Sequence, residues 1–330
     1  MKKILLITAI FAVLTTSVFA AKAKKSTKTS NKIKVVTTIF PEYDWTREII
    51  GDTNSADLTL LIGNGVDLHS YQPSIQDIAK ISTADIFIFV GGESDGWVKG
   101  ALKNATNKNM KVINLMEVLG DKVKAEEFKE GMQAEEEEEH EHHHHDDDEE
   151  EVEYDEHVWL SVRNAKILCE EITSVLCEKD AANAVNYKAN LAAYSVKLND
   201  LDAKYAATVK NGSKNTILFG DRFPFRYLVD DYNLDYFAAF VGCSAETEAS
   251  FETVIFLSKK VDELGLNAVL KIESGDGKIA RTIVQNTKNK NAKVLTLDSI
   301  QSTTSKQAKA GTTYLSLMEA NLKVLEEALK

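Results

Sequence analysis

Between residues 183 and 209 the chain carries Tyr187, Leu191, Tyr194, Leu198, Leu201 and Tyr205, spaced four, three, four, three and four, with no Pro or Gly among them. At 3.6 residues per turn this spacing forms one apolar stripe, which predicts a single helix of about 27 residues, roughly 40 Å long. On both sides of it short apolar runs alternate with helical patterns. Upstream, residues 33–38, 58–62, 84–90 and 111–115 read as strands, with helices near 42–50, 74–82 and 97–105. Ser74, three residues before Asp77, has the spacing of a helix N-terminal cap. Downstream, residues 216–219, 236–240, 268–272 and 293–297 read as strands, and 222–231, 248–264, 276–288 and 312–329 as helices. Strands alternating with helices imply parallel sheets covered on both faces. The expected fold is therefore α/β, with two lobes that are each a small parallel sheet flanked by helices. One long rigid helix at 183–210 would join an N-terminal lobe at 32–182 to a C-terminal lobe at 211–330.

Met1-Lys2-Lys3, an apolar stretch over 4–19 and the small residue Ala20 have the order of a secretory signal, with cleavage expected after Ala20 and a polar leader at 21–31. The apolar stretch is short for a spanning helix, although a retained N-terminal anchor is the alternative. No Cys follows it, so soluble periplasmic or extracytoplasmic residence is expected over a lipid anchor. Cys169 and Cys177 lie eight apart on one predicted helix, about 12 Å of rise, which is too far for a disulfide. Cys243 is then the odd thiol, and its plain reading is a small buried hydrophobe.

The formal net charge is −12, but twelve of the 51 acidic residues fall within residues 135–151, a run made only of Glu, His and Asp. Outside that run acids and bases balance, so no nucleic-acid surface is expected. Like charges and a lack of apolar residues should keep a loop at 131–153 without fixed structure. Five of the seven histidines lie in this tract, leaving His69 and His157 in ordered-looking sequence. Each stands two residues after an aspartate, Asp67 or Asp155. A carboxylate so placed can accept from one imidazole nitrogen and fix the tautomer, as happens at metal-bound histidines. The pattern points to borderline transition-metal binding.

Three segments carry a family resemblance. Val35-Val36-Thr37-Thr38-Ile39-Phe40-Pro41 looks like a first strand, Gly65 to Ser74 resembles a G-x-D-P-H-x-Y-x-P-S loop, and Asp155-Glu156-His157-Val158-Trp159 resembles D-P-H-x-W. With Asp95-x-Trp97 after the third strand, these occur in the order found in the metal-specific solute-binding proteins of bacterial ABC importers that take up zinc and manganese. The resemblance covers essentially the whole mature sequence and is nearest the zinc-uptake type. It implies two α/β lobes with a metal in the cleft between them, and His69 and His157 as ligands. Leu68 and Glu156 replace the prolines before the two histidines. The family's third histidine, in an F-H-D-A-F pattern, aligns with Phe219-Gly220-Asp221-Arg222-Phe223, which puts Gly220 in a ligand position. Asp221 is the expected substitute, with Cys243 and Glu93 behind it, and an open position filled by water or an Asp221–Arg222 ion pair as alternatives. Glu273 matches the fourth, acidic ligand. The expected cargo is Zn2+, with Mn2+ as the alternative. The implied function is capture of that ion and its delivery, as a monomer, to an ABC permease and its ATPase, without catalysis. A zinc hydrolase, or a metal buffer or adhesin acting through the His-rich tract, are the competing readings.

Overall fold

Strands and helices alternate through residues 32–133, 152–244 and 248–330, the part of the chain described by the computed structural model. The expected signal sequence, the leader and the whole acidic His-rich run at 135–151 lie outside these residues. In order, the first half contains β1 (Ile33–Thr37), α1 (Phe40–Ile50), β2 (Ala56–Leu60), α2 (Ile75–Ser82), β3 (Ile86–Phe89), α3 (Val98–Lys103), β4 (Lys111–Asn114), α4 (Leu115–Leu119) and α5 (Val162–Lys179). Then come α6 (Ala184–Asn211) and the second half: β5 (Thr216–Arg222), α7 (Arg226–Tyr232), β6 (Asp235–Phe240), α8 (Phe251–Leu264), β7 (Ala268–Lys271), α9 (Lys278–Asn286), β8 (Lys293–Thr296), α10 (Ser305–Lys309) and α11 (Tyr314–Ala328).

Each half holds a four-stranded, all-parallel sheet, ordered β2-β1-β3-β4 and β6-β5-β7-β8. The two orders are the same, each reversing direction beside its first strand. In such sheets the crevice outside the carboxyl ends of the strands is where ligands bind. The Ser74 cap forms as the spacing implied, with the Ser74 hydroxyl accepting from the Asp77 N–H while the Asp77 carboxylate accepts from the Ser74 N–H.

The long helix α6 has 28 residues, and Tyr187, Tyr194, Leu198, Leu201 and Tyr205 of its stripe are buried. Its ends are tied to opposite halves. Asn190 Nδ2 donates to Ile49 O at 2.9 Å in the first, and Tyr205 OH donates to Met318 O at 2.7 Å in the second. The halves also meet directly, because the Tyr314 N–H donates to Asp44 at 2.6 Å and Arg47 donates to Ala308 O and Thr312 O, both at 3.0 Å. One apolar cluster runs from Val35 and Trp45 through α5 and α6 to Leu270 and Tyr314, so the two sheets share a core. Removing that much apolar surface from water is the main stabilising term for the arrangement.

Three local differences from the expected elements bear on the site. β5 runs on to Arg222, beyond the expected end at 219, with a break in register between Phe219 and Arg222. The helix expected from 222 starts at Arg226. β2 begins at Ala56, two residues early. Among the described residues no helix is long and apolar enough to cross a membrane.

Candidate metal centre

After β2 the chain turns through a short 3-10 segment, Leu68–Ser70, capped by Asp67, whose Oδ1 accepts from the His69 N–H at 3.1 Å. Leu68, fully buried, anchors this turn and leaves the His69 ring facing the space between the halves. The segment bearing His157 is built in a similar way. Asp155 Oδ1 accepts from the His157 N–H at 2.8 Å, and Val158, Trp159 and Leu160 follow as a buried 3-10 turn. Three groups of the second half hold this segment: Tyr227 OH donates to Asp155 O at 2.7 Å, Trp159 Nε1 donates to Ser299 O at 2.8 Å, and Tyr314 OH donates to Trp159 O at 2.7 Å. His157 is therefore a first-half residue clamped against the second half.

The two imidazoles meet with Nε2 3.2 Å from Nε2. Their outer nitrogens are both engaged, His157 Nδ1 with Asp155 at 3.0 Å and His69 Nδ1 with Ser94 Oγ at 2.7 Å. Two imidazole nitrogens bound to one tetrahedral zinc at ~2.05 Å lie ~3.3 Å apart, so the observed separation already suits a bridging ion. With both rings neutral, one set of tautomers satisfies every partner through a single shared proton: Ser94 donating to His69 Nδ1, His69 Nε2–H to His157 Nε2, and His157 Nδ1–H to Asp155. A cation between the Nε2 atoms would replace that proton and turn His69 to the tautomer that donates to Ser94. Burial, then His157 and Arg222, hold His69 well below the usual histidine range, which keeps the ring neutral and able to ligate.

Cys243 completes the cluster: one ligand atom from each of His69, His157 and Cys243 lies within 4.8 Å of the other two. It sits in the loop after β6, so it is the second half's contribution. Gly242 makes the approach possible, since a Cβ there would stand 2.9 Å from Phe223 O and 3.2 Å from His157 Cε1. The Cys243 N–H donates to Glu126 at 3.0 Å. Burial first, then the charges of Asp155, Glu126 and Glu156, push the Cys243 thiol up, so without a cation it stays protonated. His69 and Cys243 open on a cavity of about 260 Å³ also lined by Glu93, Glu126, Glu153 and Glu156. Such a carboxylate-rich mouth favours cations over anions. Glu156 Oε1 accepts from the Ser94 N–H at 2.9 Å, while its buried Oε2 has no hydrogen-bond partner and stands 3.6 Å from His69 Nδ1.

The other expected site residues are placed differently. Asp221 does not join this cluster: it accepts from the Arg222 N–H at 2.9 Å and the Ile272 N–H at 3.2 Å, pinning the end of β5 to β7. Glu273 is also engaged elsewhere, accepting from the Ser299 N–H at 2.7 Å and from the hydroxyls of Ser299 at 2.9 Å and Ser302 at 2.5 Å. A Cβ on Gly220 would lie 2.5 Å from the Ala280 Cα, so this position faces the backbone of α9 and not a metal shell. The register break in β5 gives the physical reason. Past it the side chain that reaches the site is that of Arg222, which pairs with Asp67 across the halves. Asp67 consequently caps the His69 turn and binds Arg222 and Gln301 Nε2, at 3.1 Å for the latter, in place of the expected contact with the imidazole. Burial works against its charge, but Arg222 and His69 hold the Asp67 carboxyl below its usual range. Ser94 is not among the expected site residues, and Glu156 enters the sequence reading only as a replacement for proline; a Glu directly before a core histidine is the available signal.

The sequence profile of the family described as zinc-uptake complex component A, periplasmic, matches residues 35–328. The chain belongs to that family. It is 30% identical to the high-affinity zinc uptake system protein ZnuA of Bacillus subtilis strain 168 over 315 residues, covering 94% of this chain and 93% of that protein. It is 29% identical to the zinc-binding protein AdcA of Streptococcus pyogenes serotype M1, covering 98% of this chain and 61% of AdcA. The chain thus spans about three-fifths of the length of its AdcA relatives. Among solved structures, the Zn(II)-bound ZnuA-like domain of Streptococcus pneumoniae AdcA superposes with a TM-score of 0.68 at 29% identity, covering 90% of this chain and 99% of that one. The Bacillus subtilis metal-dependent lipoprotein YcdH gives 0.71 at 27% identity, covering 90% and 99%. Two parallel sheets joined by one long helix are the architecture shared with these proteins.

Proposed function

We infer that this chain is an extracytoplasmic binding protein that captures a divalent transition metal, zinc ahead of manganese, and hands it to an ABC permease driven by its ATPase. It carries out no catalysis. The observation that carries the reading is the pair of Nε2 atoms facing each other at 3.2 Å while both Nδ1 atoms are held. Here the buried His157 ring and the partly exposed His69 ring share one point, beside an acidic cavity and between the halves of the molecule. Family membership, and relatives whose names state zinc binding and zinc uptake, support the same cargo. Export through the N-terminal segment and operation as a monomer belong to this proposal.

The test is a zinc titration against a chelator of known affinity, run on the wild type and on His69→Ala and His157→Ala. One tight zinc per wild-type chain is expected, with each substitution weakening it by at least about 100-fold, as removal of a ligand should cost no less than loss of a supporting hydrogen bond. Wild-type affinity in either variant would rule that histidine out as a ligand.

A further inference from the structure

We propose that Cys243 is the second half's ligand to the captured ion, and that its thiolate, with His69 and His157, makes a nitrogen–sulfur site that sets the preference for zinc over manganese. This rests on the histidine-pair reading above and deepens it. Among the described residues, Cys243 alone of the second half puts a ligand atom into the cluster, because Asp221 and Glu273 are spent on backbone N–H and hydroxyl groups. Arg222 cannot ligate a cation, and it pairs with Asp67. The loop permits the approach: Gly242 leaves room for His157 Cε1 where a Cβ would stand 3.2 Å away, and the Cys243 N–H is fixed on Glu126 at 3.0 Å.

The geometry asks for little movement. A tetrahedral zinc with one sulfur at ~2.3 Å and two nitrogens at ~2.05 Å holds sulfur and nitrogen ~3.6 Å apart. One ligand atom of each residue already lies within 4.8 Å of the other two, so drawing the three onto one ion needs only a small shift. Coordination replaces the sulfur–hydrogen bond by a sulfur–metal bond, and the proton leaves to solvent through the acidic cavity. Two His and one Cys leave a fourth position open towards Glu126 and Glu156, suited to water on an ion that must later be released. Thiolate and imidazole favour zinc, whereas manganese prefers carboxylate, carbonyl and water oxygens. Metal bound to Cys243 would also join the His69 turn to the β6 loop, so that the ion holds the two halves together.

Cobalt(II) is the probe, applied to the full chain as wild type, Cys243→Ser, Cys243→Ala and His69→Ala. Wild type should show visible d–d bands of a tetrahedral ion and a near-ultraviolet sulfur-to-cobalt charge-transfer band. Cys243→Ser should keep metal binding but lose the charge-transfer band. Its zinc affinity should fall by about 100-fold or more and its manganese affinity by less than about threefold, narrowing the preference. Apo melting curves confirm that the variants fold, and Cys243→Ala gives a second reading if Ser disturbs the loop. A wild type with d–d bands that need His69 but no charge-transfer band, or unchanged zinc affinity in both Cys243 variants, would overturn the thiolate while leaving the histidine pair intact. Cobalt and zinc binding that persists unchanged in His69→Ala would overturn the histidine reading and this proposal with it.

Discussion

Arg222 and Gly220 stand two residues apart on β5, yet one reaches the cleft and the other meets α9 backbone. An ideal strand would point both the same way. The register break after Phe219 separates them, so a motif laid onto this segment by spacing alone selects Gly220, while the fold brings Arg222 to Asp67. Gly220→Ala should therefore act on stability and not on metal. Its Cβ would press on Ala280 Cα and N, at 2.5 and 2.7 Å, which are helix backbone and cannot swing aside. A loss of about 1–3 kcal/mol in denaturant unfolding is expected, typical of overpacking. Zinc affinity of the folded fraction should be unchanged; a large loss of affinity with normal stability would show that the position faces the metal after all. His69 and His157 were legible because they are the two histidines outside the acidic tract, each with an aspartate two residues earlier. The partners of Asp67 were not, because the same two-residue spacing serves a backbone cap at His69 and both backbone and imidazole at His157.

The elements were legible where one periodicity ran without interruption. α6 lies where six apolar residues fall on a single stripe, and both sheets lie where strands alternate with helices. What was missed is short or depends on remote partners: α4 and α10 have five residues each, too few to show a period. The joint between α5 and α7 is of the second kind. Ser161 caps α5, its hydroxyl accepting from the Asn164 N–H at 2.9 Å and donating to Asp231 of α7 at 2.6 Å. Burial pushes Asp231 up to about 6, with the Ser161 hydrogen bond and Arg163 pulling the other way. The folded state thus holds this proton more tightly than the unfolded chain, where an Asp titrates near ~3.9. The resulting stability is present in full below about pH 4 and is lost as pH rises through about 6. Asp231→Asn keeps an oxygen for Ser161 and removes the titration. Relative to wild type, the variant should gain about 1 kcal/mol between pH 5 and pH 7.5 in paired unfolding titrations. A constant difference across that range would show that Asp231 does not titrate there.

For the whole molecule, the proposed ion would link halves that already share a core. His69 and His157 come from the first half, His157 is clamped by Tyr227, Ser299 and Tyr314 of the second, and the Arg222–Asp67 pair crosses beside them. An ion that binds this assembled site and not the unfolded chain stabilises it by RT ln(1 + [L]/Kd), ~4 kcal/mol at a thousandfold excess over Kd. For a chain of this size that corresponds to a rise in Tm on the order of 10 °C. The competing account places the metal on the five histidines and twelve carboxylates within residues 135–151, which lie outside the described residues. Replacing residues 135–151 by a Gly/Ser sequence of equal length separates the two, because it removes every one of those groups and leaves the chain path open. The flanks have their own anchors: before the tract Gln133 Oε1 accepts from the Ser250 N–H at 2.6 Å, and after it Glu153 O accepts from the Glu126 N–H at 2.9 Å. The replaced chain should keep one tight zinc and the full rise in Tm, losing only weaker sites seen at higher zinc. Scanning calorimetry with graded zinc, read beside a chelator titration, makes the comparison. If the rise in Tm disappears with the tract while His69→Ala keeps it, the metal is held by the tract and the paired imidazoles are a structural contact.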